Sequence, residues 1–338
     1  RYAGVGGTSM RDQGLNAVVD SEELSIMGFT EVIGHLPRIV SILRRIKREF
    51  RKNRPDLVVL IDAPEFNFRI AKMAARMSIP VVYYISPKVW AWRQGRVKFI
   101  RNYVKKMISI LPFEREFYSR FQMPIEYVGH PLVDFTRKDE LLAIHPEQNR
   151  VGILPGSRLS ELKTLLPLFG EVSRILRILR PELQFHLVRA PGVEKILVRS
   201  LWPEDVPLTI RPHEDRYEVI RSCTAVMAAS GTVTLETGLL EVPTAVAYRF
   251  SPLTAAIARR LIKVPYASLT NLVLGKEVFP ELLQEKATPR KIAGSVMGWI
   301  SSPESREQTV QELKRLPELL GPPGAVHRAA DIILAEAF

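Results

Sequence analysis

The chain has 338 residues, 46% hydrophobic and 25% charged, which excludes a disordered tail and leaves room for about two globular cores. A formal net charge of +12 favours anionic partners without naming them. The single cysteine, Cys223, excludes a disulfide framework and multi-cysteine zinc patterns. No run reaches the roughly 18 to 20 uninterrupted apolar residues of a spanning helix, so the reading is a cytoplasmic protein whose membrane contact is peripheral.

In chain order, Arg1 leads into YAGVGG, which reads as a strand running into a glycine turn. An α/β domain rarely begins in mid-strand, so the expectation is a fragment with an earlier strand and helix upstream. The GVGGTSM stretch lacks the helix directly behind it that a dinucleotide fingerprint needs. Ile39, Ile42, Leu43, Ile46 and Phe50 then recur at helical spacing, and the opposite face carries Arg38, Arg44, Arg45, Lys47, Arg48, Arg51 and Lys52. That is either a solvated outer helix or an interfacial one, with Ile26, Met27, Phe29, Val32 and Ile33 entering lipid while Arg44, Arg45 and Arg48 meet head groups.

Leu57 to Ile61 is an unbroken apolar run, as expected for a parallel strand covered on both faces. Runs from Val81, Met107 and Ile125 follow with the βαβ rhythm. No acidic residue occurs from Ser86 through Phe113, a stretch that includes Trp90, Trp92 and Arg93. A polar segment from Thr136 separates this half from a second alternation beginning at Arg150. The predicted organisation is two doubly wound α/β domains, 1–140 and 149–320, and a final helix, 322–338, that either crosses back onto the first domain or does not.

In open parallel sheets ligands bind beyond the carboxyl ends of the strands. Asp62 stands there after LVVLI, placed to act as a general base or to cap the next helix. In LPGSRLSELK, Gly156 permits a tight turn, Ser157 and the free amides of the following helix offer donors to an anion, and Arg158 adds a planar fork suited to phosphate. AASGTVTLETG repeats the logic with Ser230, Gly231 and Thr232, and Glu236 lies one turn on, where a carboxylate suits sugar hydroxyls. Two helix N-termini facing one cleft describe a nucleotide-sugar site. The six histidines show no metal-ligand spacing and no Asp-x-Asp occurs, so the reading needs neither metal nor cofactor.

IMGFTEVIGHLPRI, IDAPEFN, YISPKVWAWRQGRV, LPFEREFY, GHPLVD, LPGSRLSE, ASGTVTLE and ASLTNLVLGKEVFPELLQ occur in this order over nearly the whole chain. Together they resemble the lipid-A-disaccharide synthases, inverting glycosyltransferases of GT-B architecture. The resemblance implies transfer from UDP-2,3-diacylglucosamine to 2,3-diacylglucosamine 1-phosphate without a metal, at the inner face of the inner membrane, with an anionic membrane surface as partner and no nucleic acid. A homodimer is left open. It also implies Asp62 as base for the acceptor 6-hydroxyl, Arg158 with Ser157 and the Ser230–Gly231–Thr232 turn on the donor diphosphate, Glu236 on the ribose, and Asn271 in SLTN near the cleft. Trp90, Trp92 and Arg93 would face acceptor or lipid. The family commonly has Pro where this chain has Thr270, and it begins with a strand and an AGEASGD-type glycine loop that this chain lacks. The rival readings are another UDP-sugar transferase or epimerase on the same fold and, more distantly, a basic RNA-binding protein.

Overall fold

The computed structural model describes residues 1–20, 23, 36–250, 260, 262 and 264–337. Ile26, Met27, Phe29, Val32 and Ile33, the apolar set expected to enter lipid, lie outside the described residues. The chain opens with two short parallel strands, β1 (Ala3–Gly6) and β2 (Asn16–Asp20), joined through α1 (Thr8–Asp12). The basic helix α2 (Leu36–Lys52) follows, with Ile42 and Ile46 buried and Arg44, Arg45, Lys47, Arg48, Arg51 and Lys52 exposed.

A four-stranded all-parallel sheet comes next, ordered β3-β4-β5-β6 and built from β3 (Val58–Ile61), β4 (Val81–Tyr84), β5 (Lys106–Ser109) and β6 (Glu126–Tyr127). Between its strands run α3 (Pro64–Arg76), α4 (Arg96–Tyr103) and α5 (Phe113–Ser119). The unbroken apolar run at β3 is not covered on both faces as expected: Val59 and Ile61 are each 39% exposed while Val58 and Leu60 are buried. β3 is the edge strand of this sheet, and among the described residues one of its faces is only partly covered.

Two short helices, α6 (Leu132–Thr136) and α7 (Asp139–Leu142), lead to the second sheet. It has six parallel strands in the order β12-β11-β10-β7-β8-β9. Their ranges are β7 (Glu147–Leu154), β8 (Gln184–Val188), β9 (Leu208–Arg211), β10 (Cys223–Ala229), β11 (Thr244–Tyr248) and β12 (Glu281–Leu283). The connecting helices are α8 (Leu159–Leu179), α9 (Lys195–Leu201), α10 (Arg216–Arg221), α11 (Thr232–Leu239), α12 (Leu269–Leu274) and α13 (Pro289–Ser301). Central β10 is buried at every position, as a strand covered on both faces should be.

After α14 (Pro303–Leu313) and α15 (Leu316–Leu319), the last helix, α16 (Ala325–Ala337), lies on the first sheet. Ala329, Ile332 and Ile333 pack with Val82, Ile108 and Val128, and Glu336 pairs with Lys105 and Lys106. Arg328 donates to the carbonyl of Val128, and the backbone amide of Gly324 donates to Asp134. The crossing is tight at Gly129 (φ +86°), where a Cβ would stand 2.9 Å from the Arg328 guanidinium and 3.2 Å from the Leu320 carbonyl. The two halves also share apolar packing, since Leu235 and Leu239 of α11, Leu269 and Leu316 belong to one buried cluster with Val133 and the core of the first sheet. Among the described residues no helix is long and apolar enough to cross a membrane.

Candidate active site

β3 ends at Ile61, and the next two residues, Asp62 (φ +46°) and Ala63 (φ +40°), both take the left-handed conformation. Non-glycine residues pay for that geometry, so neighbours must hold it. The Asp62 carbonyl accepts from the Asn67 amide at 2.7 Å and from the Tyr83 hydroxyl, while the Asp62 amide donates to Tyr84 at 3.2 Å. The helix N-cap at this point is Ala63, with no capping side chain, so the Asp62 carboxylate is not spent on α3 and is exposed. Burial, with the Asp62 charge adding to it, pushes the Tyr83 hydroxyl far above its ordinary value, so it stays a donor.

The SPKVWAWR loop leaves β4 beside it. Lys88 has surface open to solvent although protein crowds around it. That crowding lowers its pKa from the ordinary lysine value; the Asp62 carboxylate opposes the shift and the Arg158 guanidinium adds to it. Lys88 therefore stands within electrostatic reach of a carboxylate from the first domain and a guanidinium from the second. It was passed over in the sequence as one cation in a run; its place directly beyond the carboxyl end of β4 was the available signal.

Trp90 does not face acceptor or lipid. It is 6% exposed, donates from Nε1 to Glu114 at 2.9 Å and meets Phe113 edge to face. A ring this large, one residue from the buried Val89, is worth more in the core than at the surface. Glu114 also accepts from the Leu111 amide, and burial pushes its carboxyl up to about 8 against the hydrogen bonds from Leu111, Trp90 and Ser86. Trp92 is half-buried under the Arg93 guanidinium, 4.1 Å from the ring centroid. Arg93 and Arg96 both hold Glu65, at 3.2 and 2.7 Å. The Arg96 fork keeps the Glu65 carboxyl below its ordinary range although burial opposes it. Of Arg44, Arg45 and Arg48, all exposed, Arg45 is partly spent on Glu23 and the Val18 carbonyl.

In the second domain β7 and β10 are neighbours, Leu154 opposite Ala228, so the loops that leave them stand side by side. α11 begins after Gly231, which offers no capping side chain, and Thr232 is exposed at its start. The Ser230 hydroxyl is already donated to the Ala267 carbonyl. At the β7 loop the amides are not free, as the sequence had suggested: Glu161 Oε2 accepts from the backbone of Ser157 at 3.2 Å and of Arg158 at 3.3 Å. A glutamate three residues beyond the N-cap reaches back to these donors as in a capping box. Beside Ser157 a cavity of about 540 Å³ opens, lined by Leu159, Leu162, Val193, Ile196 and Leu197.

Glu236, on the inner side of α11, lies 3.7 Å from Arg216, and burial raises its pKa against the pull of that guanidinium. Asn271 cannot touch a donor. It is fully buried, its Oδ1 accepts from Val278 and Phe279 at 2.9 Å each, and its Nδ2 donates to the Phe279 carbonyl and Glu281. The amide's hydrogen bonds hold the segment at Val278, Phe279 and Glu281, and Glu281 in turn accepts from the amides of Ala267 and Ser268. Thr270, at the position where the resemblance led us to expect Pro, sits in the first turn of α12 and donates its hydroxyl to the Thr234 carbonyl. A first-turn position accepts either residue, because its amide has no partner within the helix. Among the described residues no three His, Cys, Asp or Glu side chains converge as a metal set.

Comparison with known proteins matches residues 1–329 to the family described as lipid-A-disaccharide synthetase. A lipid-A-disaccharide synthase of Geobacter metallireducens is 38% identical over 98% of this chain and 88% of its own length. Among solved structures, the UDP-GlcNAc 2-epimerase from Neisseria meningitidis bound to UDP-GlcNAc aligns over 99% of both chains with TM-score 0.65 at 12% identity. The glycotransferase of kitacinnamycin aligns over all of this chain and 92% of its own with TM-score 0.64 at 14% identity. At such identities the structural matches speak for the fold alone, and that fold is GT-B.

Proposed function

Because this chain belongs to the lipid-A-disaccharide synthase family, and is thereby a glycosyltransferase of lipid A biosynthesis, we propose that it joins UDP-2,3-diacylglucosamine to 2,3-diacylglucosamine 1-phosphate in one inverting displacement. The observation that carries this reading is the meeting of the two halves at Lys88, just beyond β4, within electrostatic reach of both Asp62 and Arg158. A diphosphate held by Arg158 and the first-turn amides of α11 would then present its sugar toward Asp62. The acceptor 6-hydroxyl gives its proton to the Asp62 carboxylate as its oxygen bonds to the anomeric carbon. The bond from that carbon to the β-phosphate breaks, and UDP leaves with the electron pair. One base on the acceptor side suffices, and no second carboxylate acts as nucleophile.

Charge building on the departing UDP falls to Arg158, Lys88 and the helix N-terminus, fixed dipoles and cations of the kind that stabilise a leaving phosphate. Glu236 is placed for the ribose hydroxyls. The cavity beside Ser157, whose leucines, Val193 and Ile196 share its lining with Glu194 and Ser200, would offer the donor's acyl chains a partly apolar surface next to the phosphate loop. The exposed cations of α2 suit the anionic inner face of the inner membrane as the place where both lipid substrates are met. Trp92 and Arg93, stacked on one another after β4, would meet the acceptor.

UDP release measured with and without the monosaccharide phosphate, in EDTA, tests the reading against Asp62→Asn. Acceptor-dependent release that survives EDTA and falls by about three orders of magnitude in the variant supports transferase and base together. Release that needs no acceptor would move the protein toward an epimerase or hydrolase.

A further inference from the structure

Glu161 is a residue for which the family match and the proposed mechanism leave no role. We propose that its carboxylate occupies the seat of the donor diphosphate in the empty site and positions Arg158 there, and that donor binding is an exchange of one anion for the other. This rests on the reading that the Ser157–Arg158 loop takes the diphosphate. Oε2 accepts from the amides of Ser157 and Arg158 at 3.2 and 3.3 Å, and Oε1 accepts from the Arg158 guanidinium and the Tyr248 hydroxyl, each at 3.0 Å. The loop is shaped around this oxygen: at Gly156 (φ +96°) a Cβ would fall 2.3 Å from Glu161 Oε2.

Each amide has one proton, so a phosphate that uses the Ser157 and Arg158 amides must displace Oε2. Carboxylate and phosphate cannot share the seat, because like charges at contact repel. The four bonds, at 3.0 to 3.3 Å, are also longer than the roughly 2.7 to 2.9 Å of strong charge-assisted pairs, so the exchange is not heavily opposed. Tyr248, on Oε1 and away from the two amides, can keep its bond as the carboxylate withdraws. The Arg158 guanidinium, 71% exposed over a carboxylate that is 9% exposed, is then released toward Lys88. The consequence is selectivity. A loop that neutralises itself when empty resists simple anions and yields to a ligand that adds contacts at α11 and Lys88.

Calorimetric binding of UDP to the full chain and to Glu161→Gln decides it. The Gln side chain has a single acceptor oxygen and no charge, so it cannot serve the two backbone amides and the Arg158 guanidinium together and holds the seat more weakly. The expected result is a UDP Kd about tenfold lower in the variant, with inorganic pyrophosphate now competing where it barely does in the wild type, and a donor KM that falls by more than kcat changes. A weaker UDP Kd in a folded variant would mean that Glu161 only props the loop, and an unchanged Kd that no exchange occurs; either overturns the inference and leaves the donor reading standing. Should Glu161→Gln not fold, Glu161→Asp, charged but a methylene short of the amides, must show the same tightening. UDP binding by neither wild type nor variants would remove the donor reading itself.

Discussion

Lys88 has the sharpest consequence of any single side chain in the site. Its pKa is lowered, so its charge is lost at lower pH than an ordinary lysine's, and with it one cation opposite the leaving diphosphate. Lys88→Met should therefore lower kcat/KM by about a hundredfold, the usual loss for one preorganised donor to developing negative charge. Lys88→Arg keeps the charge at all accessible pH, so the alkaline fall of kcat/KM should move to higher pH than in the wild type. An alkaline limb that stays in place in the Arg variant would assign it to another group. Asn271 teaches the reverse. Its place in a motif suggested contact with the donor, and only its four amide bonds, to Val278, twice to Phe279 and to Glu281, reveal that it holds Glu281, which in turn accepts from the Ala267 amide beside Ser230's partner carbonyl. Sequence shows which residue types stand near a cleft; it does not show which have already spent their hydrogen bonds.

At the scale of elements, the loop from β4 to α4 is pinned from below by Glu114, a buried carboxyl whose value in the fold, about 8, lies above its ordinary 4.5. The fold thus holds a proton that the unfolded chain releases. Stability should fall as pH rises from about 4.5 to about 8 and level off above, by up to a few kcal/mol. Thermal melts at pH 5 and pH 8 should differ more in the wild type than in Glu114→Gln, and equal differences would show that the carboxyl does not titrate in this window. Helix α2 gives a second test. Replacing Arg44, Arg48 and Arg51 by Glu should cut co-sedimentation with anionic vesicles by a factor of about a hundred or more, at about 1 kcal/mol per cation removed, and leave binding to neutral vesicles unchanged. The strands from Val58, Val81 and Lys106 were legible as apolar runs, and the second sheet only as an alternation beginning at Arg150. β2, α9 and β12 were not: each is short, and β12 has no fully buried residue, so pairing with a neighbour rather than periodicity creates it. The half-exposure of β3 was invisible for a related reason, since an apolar run does not say whether a layer lies above it.

Across the whole molecule, the proposed mechanism requires the first domain's Asp62 and Lys88 to meet the second domain's Arg158, and a largely buried ionic contact near the crossing of the two halves bears on that angle. Arg137, just past α6, donates to Glu241 at 2.6 Å and to the Leu239 carbonyl at 3.2 Å, closing the end of α11. Glu241 also lies 3.7 Å from Arg221, which in turn donates to the carbonyls of Leu240 and Leu142. Arg137 and Glu241 are 24% and 10% exposed, so removing the cation alone strands a largely desolvated carboxylate. Arg137→Met should cost about 2 to 3 kcal/mol, toward the lower end for a broken buried pair because Arg221 still offers partial compensation. Arg137→Met with Glu241→Gln should recover much of this, since no bare charge remains. Chemical denaturation of the two variants measures the difference, and equal stabilities would show the contact to be ornamental. The functional sign separates hinge from site. UDP binds within the second domain on the proposed reading, so its Kd should be unchanged in Arg137→Met, while kcat/KM, which needs both domains in register, should fall. A parallel loss of both would mean that the substitution damages the donor half itself, through the freed end of α11, and that the domain angle is set instead by α16 and its grip on Val128.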